Sequence, residues 1–319
     1  MRINASKGAD GAMTTRPEPE QSRPDPHLGA MVRERRQLIN LAYRLLGSLA
    51  EAEDAVQETY TRWYALSEAQ RATIASPGAW LSTVASRVCL DVLGSARARR
   101  ERYVGQWLPE PLPEPAEWSS GGTADPADRV TLDESVSMAF LVVLEAMTPA
   151  ERVAFVLHDV FRYSFAEVAG IVGRTPAACR QLASSARRRL RGGPPDAAFP
   201  PARQAAVVRD FKRAWEAGDI GALIGLLDPD VTATGDGGGL VTAAPRPVVG
   251  GEQVARFFAG LGVRAADVTL LERTVNGQPG LVAQRDGATV GVYAFHVVGE
   301  RITRIWAVLN PEKIRPWIG

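Results

Sequence analysis

The chain has 319 residues, of which 45% are hydrophobic and 23% charged, and its formal net charge is +1. This length exceeds that of one typical domain, so we expect two or three domains with buried cores. The chain has only 2 cysteines, which excludes a disulfide scaffold and a multi-cysteine metal ribbon. Because it lacks an apolar run of roughly 18 residues and a secretory signal, we expect a cytoplasmic protein with no membrane segment.

The near-neutral total conceals an uneven distribution of charge. Residues 87–102 hold five arginines and two acids, and residues 174–191 hold six arginines and no acid. Between them, residues 103–138 hold seven acids and one arginine. Arginine suits bidentate contacts with phosphate and guanine, although GC-rich coding would give the same bias. The distribution therefore keeps a nucleic-acid partner open.

Composition and periodicity divide the chain into five segments. Residues 1–28 are rich in Gly, Pro, Glu and Ser, which predicts a disordered tail. Helical apolar spacing predicts two all-α units, over residues 29–103 and 132–193. Residues 104–131 separate these units and are interpreted as an acidic, Pro-rich linker. Residues 200–319 begin with one more helical stripe and continue as β-like runs, which predicts an α+β domain.

The β-like runs of the last segment are separated by turn signals such as Asn276-Gly277 and Asp286-Gly287. The predicted strands are Val268–Val275, Leu281–Gln284, Ala288–Val298 and Ile302–Val308. Their order favours a curled antiparallel sheet.

The clearest local signal is a helix-turn-helix near the end of the second helical unit. Ser164 and Glu167 form a capping box, Gly173 ends the turn, and Thr175 caps a second helix that begins at Pro176. The second helix of such a motif enters the major groove. An ordinary αα-hairpin with a solvated basic face is the alternative. The predicted DNA-facing residues are Thr175, Ala177, Arg180, Gln181, Ser184, Arg187 and Arg188.

A second candidate surface lies on the predicted helix around residues 49–64. Asp54, Gln57, Glu58 and Thr61 share one face, whereas Val56, Tyr60 and Trp63 occupy another that we expect to be buried. A polar, acidic face on a well-packed helix suits docking to a basic partner. Alone, such a face is more often merely solvated.

Taken together, these units resemble an extracytoplasmic-function sigma factor of the sigma-70 family. LAEAEDAVQET, from Leu49 to Thr59, is similar to the core-binding motif of sigma region 2, and the helix-turn-helix is similar to region 4. The resemblance implies that residues 29–103 are region 2 and residues 132–193 are region 4. It names core RNA polymerase, through its clamp helices, and promoter DNA as partners, with region 4 reading the −35 element.

The segment that begins at Ser76-Pro77 is similar to the promoter −10 recognition region of that family. Arg87 departs from the pattern, because Asn is common at that position. Trp80 either belongs to the core or wedges against unpaired DNA. The resemblance assigns −10 contacts to Trp80, Arg87, Asp91, Arg97, Arg99, Arg100 and Arg102.

The last segment resembles the SnoaL-like, ketosteroid-isomerase-type cone, and two motifs are similar to the subgroup of these sigma factors with such a fused extension. The motifs are Trp107, Leu108, Pro109, Glu110 and Pro111 in the linker, and Asp236, Gly237, Gly238 and Gly239 in the last segment. We expect the DGGG loop, residues 236–239, to contact the linker or region 2, so that the extension regulates the sigma factor in cis. A simple flexible turn is the alternative for the glycines.

Two other functions stay open at this stage. One is a helix-turn-helix regulator whose C-terminal domain senses a ligand, and the other is a DNA-tethered SnoaL-type enzyme. Catalytic candidates in the cone would be Asp210, Asp230, Asp236 and His296. We expect no catalysis, cofactor or metal site and a monomer when free, while a small ligand in the cone stays open.

Overall fold

The computed structural model describes residues 26–100, 103–114, 136–191, 200–265 and 267–318, without the side chains of residues 26–33, 96–100 and 191. In these ranges the first unit is built from helices α1 (Pro26–Leu46), α2 (Leu49–Tyr64), α3 (Glu68–Ala72) and α4 (Pro77–Arg100). Helix α1 begins at Pro26, inside the segment 1–28 that the composition predicts as a tail; proline is suited to the first turn of a helix. The rest of that segment lies outside the described residues.

The turn between α1 and α2 is fixed by backbone conformation and capping. Gly47 adopts a positive φ of 71°, which glycine tolerates without steric cost. Ser48 then caps α2 by accepting a hydrogen bond from the amide of Glu51. The linker packs against this turn through Glu110.

The second unit contains α5 (Met138–Glu145), α6 (Pro149–Phe155), a π-helical turn (Val156–Val160), α7 (Phe165–Val172) and α8 (Pro176–Arg191). The predicted caps are present. Ser164 and Glu167 form the capping box of α7, and Gly173 ends that helix with a φ of 70°. Thr175 accepts a hydrogen bond from the amide of Ala178 at the start of α8. The helix-turn-helix prediction is therefore confirmed at the level of local structure.

The two helical units share one hydrophobic core. Leu141 and Phe155 of the second unit belong to the same buried cluster as Leu38 and Leu45 of the first. At the seam, the buried Arg152 side chain donates hydrogen bonds to the Leu45 carbonyl at 2.8 Å and to Glu145 at 2.7 Å. The sequence predicted two separate helical units, but in this arrangement they pack together.

The last domain contains α9 (Pro201–Ala217), α10 (Ile220–Leu226), β1 (Leu227–Asp236), β2 (Val248–Val249), α11 (Gly251–Arg264), β3 (Val268–Val275), β4 (Gln278–Arg285), β5 (Ala288–Val298) and β6 (Arg301–Val308), followed by a 3-10 turn (Arg315–Trp317). The strand order is β2-β1-β6-β5-β4-β3. The helices cover one face of this sheet, which confirms the predicted α+β, SnoaL-like architecture.

The four predicted strands, β3 to β6, pair antiparallel as expected, but the sheet also contains one parallel pair. Strand β1 runs parallel to β6, with Ala233 opposite Ile305 and Asp236 opposite Val308. The chain can make this parallel pair because a long connection, which includes α11 and four strands, separates β1 from β6. Strand β1 escaped prediction because Asp228, Pro229 and Asp230 interrupt its apolar pattern.

The sheet has two buried faces. On one face, Phe211, Trp215 and Phe258 of the helices pack in T-shaped contacts against Tyr293 and Phe295. On the other face, Val282, Val292 and Trp306 form a cluster with Leu108 of the linker and Met138 of α5. The second face is therefore covered by residues from the linker and the second helical unit, together with Ile314 and Trp317 from the C-terminal end of the domain.

Candidate functional site

The predicted core-binding face of α2 is open to solvent. Asp54, Gln57, Glu58 and Thr61 are all exposed, and Glu58 forms an exposed ion pair with Arg62 at 2.8 Å. On the opposite side, Val56 is buried and Tyr60 and Trp63 pack partly against the core. The division into a polar face and a packed face is as expected.

The predicted −10 residues fall into four groups. The ring of Trp80 is partly buried and lies 5.2 Å from that of Trp63, centroid to centroid, so Trp80 contributes to the core. Arg87 donates a hydrogen bond to the carbonyl of Gly170 in α7 at 2.9 Å, which places it at the contact between the helical units. Asp91 is exposed. The side chains of Arg97, Arg99 and Arg100, and the whole of Arg102, lie outside the described part of the chain.

Most of the predicted −35 residues line the exposed side of α8. Ala177, Arg180, Gln181, Ser184 and Arg188 border one surface groove. Thr175 is exposed at the start of the helix. The guanidinium of Arg180 lies 5.3 Å from the centroid of the Phe165 ring. This groove presents side chains suited to base edges and phosphates.

Arg187 departs from the prediction. Its guanidinium is partly buried and forms two hydrogen bonds with Asp159, at 2.7 and 3.1 Å. A bidentate pair of this kind holds the guanidinium in a fixed orientation. In this arrangement Arg187 joins α8 to the π-helical turn instead of facing solvent.

The first part of the predicted linker, residues 103–114, packs as an ordered segment. Leu108 and Leu112 are buried, and Pro113 forms a β-bridge with Val275 at the edge of the sheet. The Glu110 amide also donates to the carbonyl of Gly47 at 2.8 Å. The segment thus lies between the first helical unit and the cone. Residues 115–131, the rest of the predicted linker, lie outside the described residues.

Asp236 is the centre of contact between the cone and this segment. Its carboxylate is fully buried and accepts hydrogen bonds from the Tyr103 hydroxyl at 2.6 Å and from the Leu108 amide at 2.8 Å. Lys313 adds an ion pair at 2.7 Å, and the Gly238 amide donates at 3.0 Å. The expected contact between the DGGG loop and the linker is therefore present.

Lys313 joins the linker to Asp236. Its ammonium donates to the carbonyl of Leu108 at 2.6 Å and lies 4.0 Å from the centroid of the Trp107 ring. The same ammonium lies 5.0 Å from the centroid of the Tyr103 ring. An ammonium between two aromatic faces gains cation–π attraction in addition to its ion pair. Trp107 is thereby fixed between Lys313 and Gly47, where a β-carbon would lie 3.1 Å from the indole ring.

Glu110 makes the corresponding contact with the first helical unit. Its carboxylate accepts hydrogen bonds from the Leu49 amide at 2.8 Å and from the Ser48 hydroxyl at 3.1 Å. A negative charge at this position stabilises the N-terminus of α2. The Glu110 carbonyl accepts from the Tyr43 hydroxyl at 2.6 Å. Burial raises the pKa of the Glu110 carboxyl above its ordinary value, and these hydrogen bonds oppose the rise.

The glycines of the DGGG loop permit close backbone approach. A β-carbon on Gly237 would overlap the carbonyl oxygen of Val241, and one on Gly238 would overlap the side-chain amide of Asn310. Gly238 and Gly239 have φ values of 63° and 74°, a region that glycine occupies without strain. These close contacts and positive φ values define a specific turn, so the loop is not merely a flexible one.

The cone has a cavity between α11 and its sheet, and none of the four catalytic candidates lines it. Asp210 and Asp230 are exposed, and Asp236 faces the linker. The His296 ring nitrogen Nδ1 is 2.8 Å from the hydroxyl of Thr303, away from the cavity lining. Within the described ranges no group of His, Cys, Asp and Glu side chains is arranged to hold a metal ion, and no helix is long and apolar enough to span a membrane.

Sequence analysis did not predict five of the residues that hydrogen-bond between residues 103–114 and their neighbours. These residues are Tyr43, Tyr103, Asn276, Asn310 and Lys313. One signal was available: Lys313 is one of three lysines in an arginine-rich chain. A compact ammonium fits between two rings and a carboxylate, whereas a guanidinium is larger and planar.

Comparison with known proteins gives matches over most of the chain. Residues 31–100 match the family model of sigma-70 region 2, and residues 137–190 match that of sigma-70 region 4. The chain is 41% identical to the ECF RNA polymerase sigma factor SigJ of Mycobacterium tuberculosis, over 88% of this chain and 90% of that protein. It is 36% identical to the probable ECF RNA polymerase sigma factor SigI of the same species, over 92% and 97% of the two chains. The crystal structure of M. tuberculosis SigJ is similar with a TM-score of 0.71 and 37% identity, covering 91% of this chain and 98% of that one.

Proposed function

This chain belongs to the extracytoplasmic-function sigma factor family, and on that premise we propose that it directs promoter-specific initiation by RNA polymerase in the cytoplasm. The proposal assigns core polymerase to the acidic face of α2, with Asp54, Gln57, Glu58 and Thr61 meeting basic clamp residues. Complementary charge at such a surface steers association and suppresses wrong partners. The chain itself performs no chemistry in this account, because its binding energy selects the promoter and the polymerase makes the RNA.

The proposed DNA contacts use both helical units. Region 4 would place α8 in the major groove of the −35 element, where Arg180 and Gln181 reach base edges and Arg188 reaches phosphate. Region 2 would hold melted −10 DNA along α4, where arginines follow the backbone and unpaired bases offer ring faces and edges. Asp91 lies on the same helix.

We further propose that the cone regulates these contacts in cis. The observation that carries this proposal is the position of residues 103–114, which bind α2 through Glu110 and the cone through the Asp236–Lys313 pair. A segment anchored in this way ties the first helical unit to the cone, and Leu108 packs in the same cluster as Met138 of the second unit. The packed core and the Arg87–Gly170 hydrogen bond describe a closed arrangement of the two DNA-binding units, so polymerase and DNA would have to part them.

Transcription in vitro tests both halves of the proposal. Core polymerase with this chain should initiate at discrete promoters, and a helix-turn-helix regulator without sigma activity would give no initiation. Substitution of Asp236 by Asn should alter promoter output while the chain stays folded. If Asp236→Asn leaves output unchanged although the linker has left its site, regulation in cis is wrong and the sigma assignment is unaffected.

A further inference from the structure

The π-helical turn before α7 supports both helices of the helix-turn-helix. Asp159 of this turn binds Arg187 of α8. Its neighbour His158 stacks on the ring of Phe165, the first residue of α7, with ring centroids 3.8 Å apart and an angle of 24° between the planes. π-helical turns occur frequently at functional sites. Two consecutive residues of this turn thus each hold one helix of the motif.

A hydrogen bond fixes the imidazole of His158 in its stacked position. The ring nitrogen Nδ1 lies 2.7 Å from the carbonyl oxygen of Tyr163. A carbonyl oxygen can only accept, so Nδ1 carries a proton and donates it. The side chains of His158 and Phe165 are both partly buried. The Phe165 ring therefore rests on a partner that is itself held by the backbone.

The ring of Phe165 also contacts the arginine that is proposed to reach a base edge. The guanidinium carbon of Arg180 lies 5.3 Å from the centroid of the ring, inside the limit of about 6 Å for a cation–π contact. Arg180 is exposed, and it has no hydrogen-bond or ion-pair partner in the part of the chain that the structure describes. The ring thus limits the conformations of Arg180 and leaves its N–H donors available.

From these contacts we propose that Phe165 is a positioning residue for base recognition. It holds the guanidinium of Arg180 in the orientation that donates two hydrogen bonds to a guanine of the −35 element, and His158 holds the ring of Phe165. An arginine that is already oriented loses less conformational freedom when it binds. Phe165 thereby sets how strongly Arg180 distinguishes guanine from other bases. This inference rests on the proposed reading of the −35 element by α8.

The test is competitive binding of promoter duplexes to holoenzyme assembled from the full chain and core polymerase. Each duplex carries one substituted base pair in the −35 element. Wild-type holoenzyme should prefer guanine at one position, and Arg180→Ala should remove that preference, which identifies the base pair. Phe165→Leu should reduce the same preference about tenfold and leave the preferences at other −35 positions unchanged.

Three further variants separate positioning from a general loss of stability. Phe165→Tyr keeps the ring and should retain most of the preference. His158→Ala should reduce the preference at the same base pair, because the ring of Phe165 loses its support. Phe140→Leu is the matched control, since Phe140 is also partly buried against the same core but contacts Phe155. This control should keep the full preference.

The outcomes distinguish this inference from the function on which it rests. If the preference survives Phe165→Leu, or falls equally in Phe140→Leu, the positioning role is wrong and the reading of that base by Arg180 still holds. A preference that Phe165→Tyr also loses would overturn the ring contact as its cause. If Arg180→Ala removes no preference at any position, the proposed reading by Arg180 fails, and this inference fails with it.

Discussion

Lys313 and Asp236 form an ion pair, 2.7 Å between Nζ and Oδ2, at a site where the carboxylate is 0% exposed. The Lys313 ammonium also donates a hydrogen bond to the carbonyl of Leu108, and the Asp236 carboxylate accepts one from the amide of Leu108. One buried pair therefore fixes both polar groups of a single linker residue. Breaking it should release the linker from the cone.

Replacing Lys313 by Met should destabilise the docked linker strongly. The change leaves Asp236 charged and buried without its cation, a situation that typically costs about 3–5 kcal/mol. Hydrogen exchange at the Leu108 amide measures the release, and denaturant unfolding measures the loss of stability. Lys212→Met is the control, because Lys212 makes only longer contacts of 3.8 and 3.9 Å at the surface. Slow exchange at Leu108 in the Lys313 variant would contradict this account.

The glycine turn should be equally sensitive. Gly237→Ala places a β-carbon against the Val241 carbonyl, so the loop must shift and carry Asp236 with it. Gly225→Ala is the matched control in α10, where a β-carbon meets nothing within 4 Å and should stabilise the helix by about 0.5–1 kcal/mol. We expect faster proteolysis of the linker in the first variant only. Equal protection in both would show that the turn tolerates a side chain.

Glu110 should make stability depend on pH in the direction opposite to most carboxylates. Its pKa is raised in the folded chain, so its stabilising contribution is complete below the ordinary value of about 4.3 and is lost as the pH rises through the raised value. Glu110→Gln should remove that loss, because the amide oxygen can still accept from Leu49. The measurement compares unfolding midpoints of the two proteins across this pH range. If the difference between the two unfolding midpoints did not change with pH, the raised pKa of Glu110 would be refuted.

The groove on α8 predicts different roles for two adjacent arginines. In holoenzyme bound to promoter DNA, Arg188→Ala should weaken binding and reduce the slope of log K against log salt by about 1. Arg187→Ala should instead loosen the contact with Asp159 and lower the stability of the free chain. Arg213→Ala, at an exposed position of α9, is the control for both. If Arg187 rather than Arg188 sets the salt slope, the Asp159 pair must open on DNA.

The helix-turn-helix was predictable because its signals are local. Ser164, Glu167, Gly173 and Thr175 each act within three or four residues along the chain, and the structure has all four caps. The β-hairpin turns follow the same rule, since Asn276 and Asp286 take positive φ next to glycine.

The closed arrangement was not predictable because its contacts join distant positions. The hydrogen bond from Tyr43 to Glu110 spans 67 residues and that from Asn276 to Tyr43 spans 233. Contacts between residues so far apart leave no periodic pattern in the sequence from which they could be predicted. The parallel pairing of β1 with β6 was missed for the same reason, and Arg187 looked solvent-facing because its partner, Asp159, lies on another element.

We propose above all that this chain recruits core polymerase through α2. The direct measurement is run-off transcription from a promoter located by footprinting the holoenzyme, with the wild-type chain, Glu58→Lys and Glu252→Lys. Glu252 is a matched control because it too is exposed and pairs with an arginine four residues on. We expect the wild-type and Glu252→Lys proteins to initiate, and Glu58→Lys to lose core binding and initiation together. Undiminished core binding by Glu58→Lys, or no initiation by the wild-type chain with core polymerase, would contradict the account.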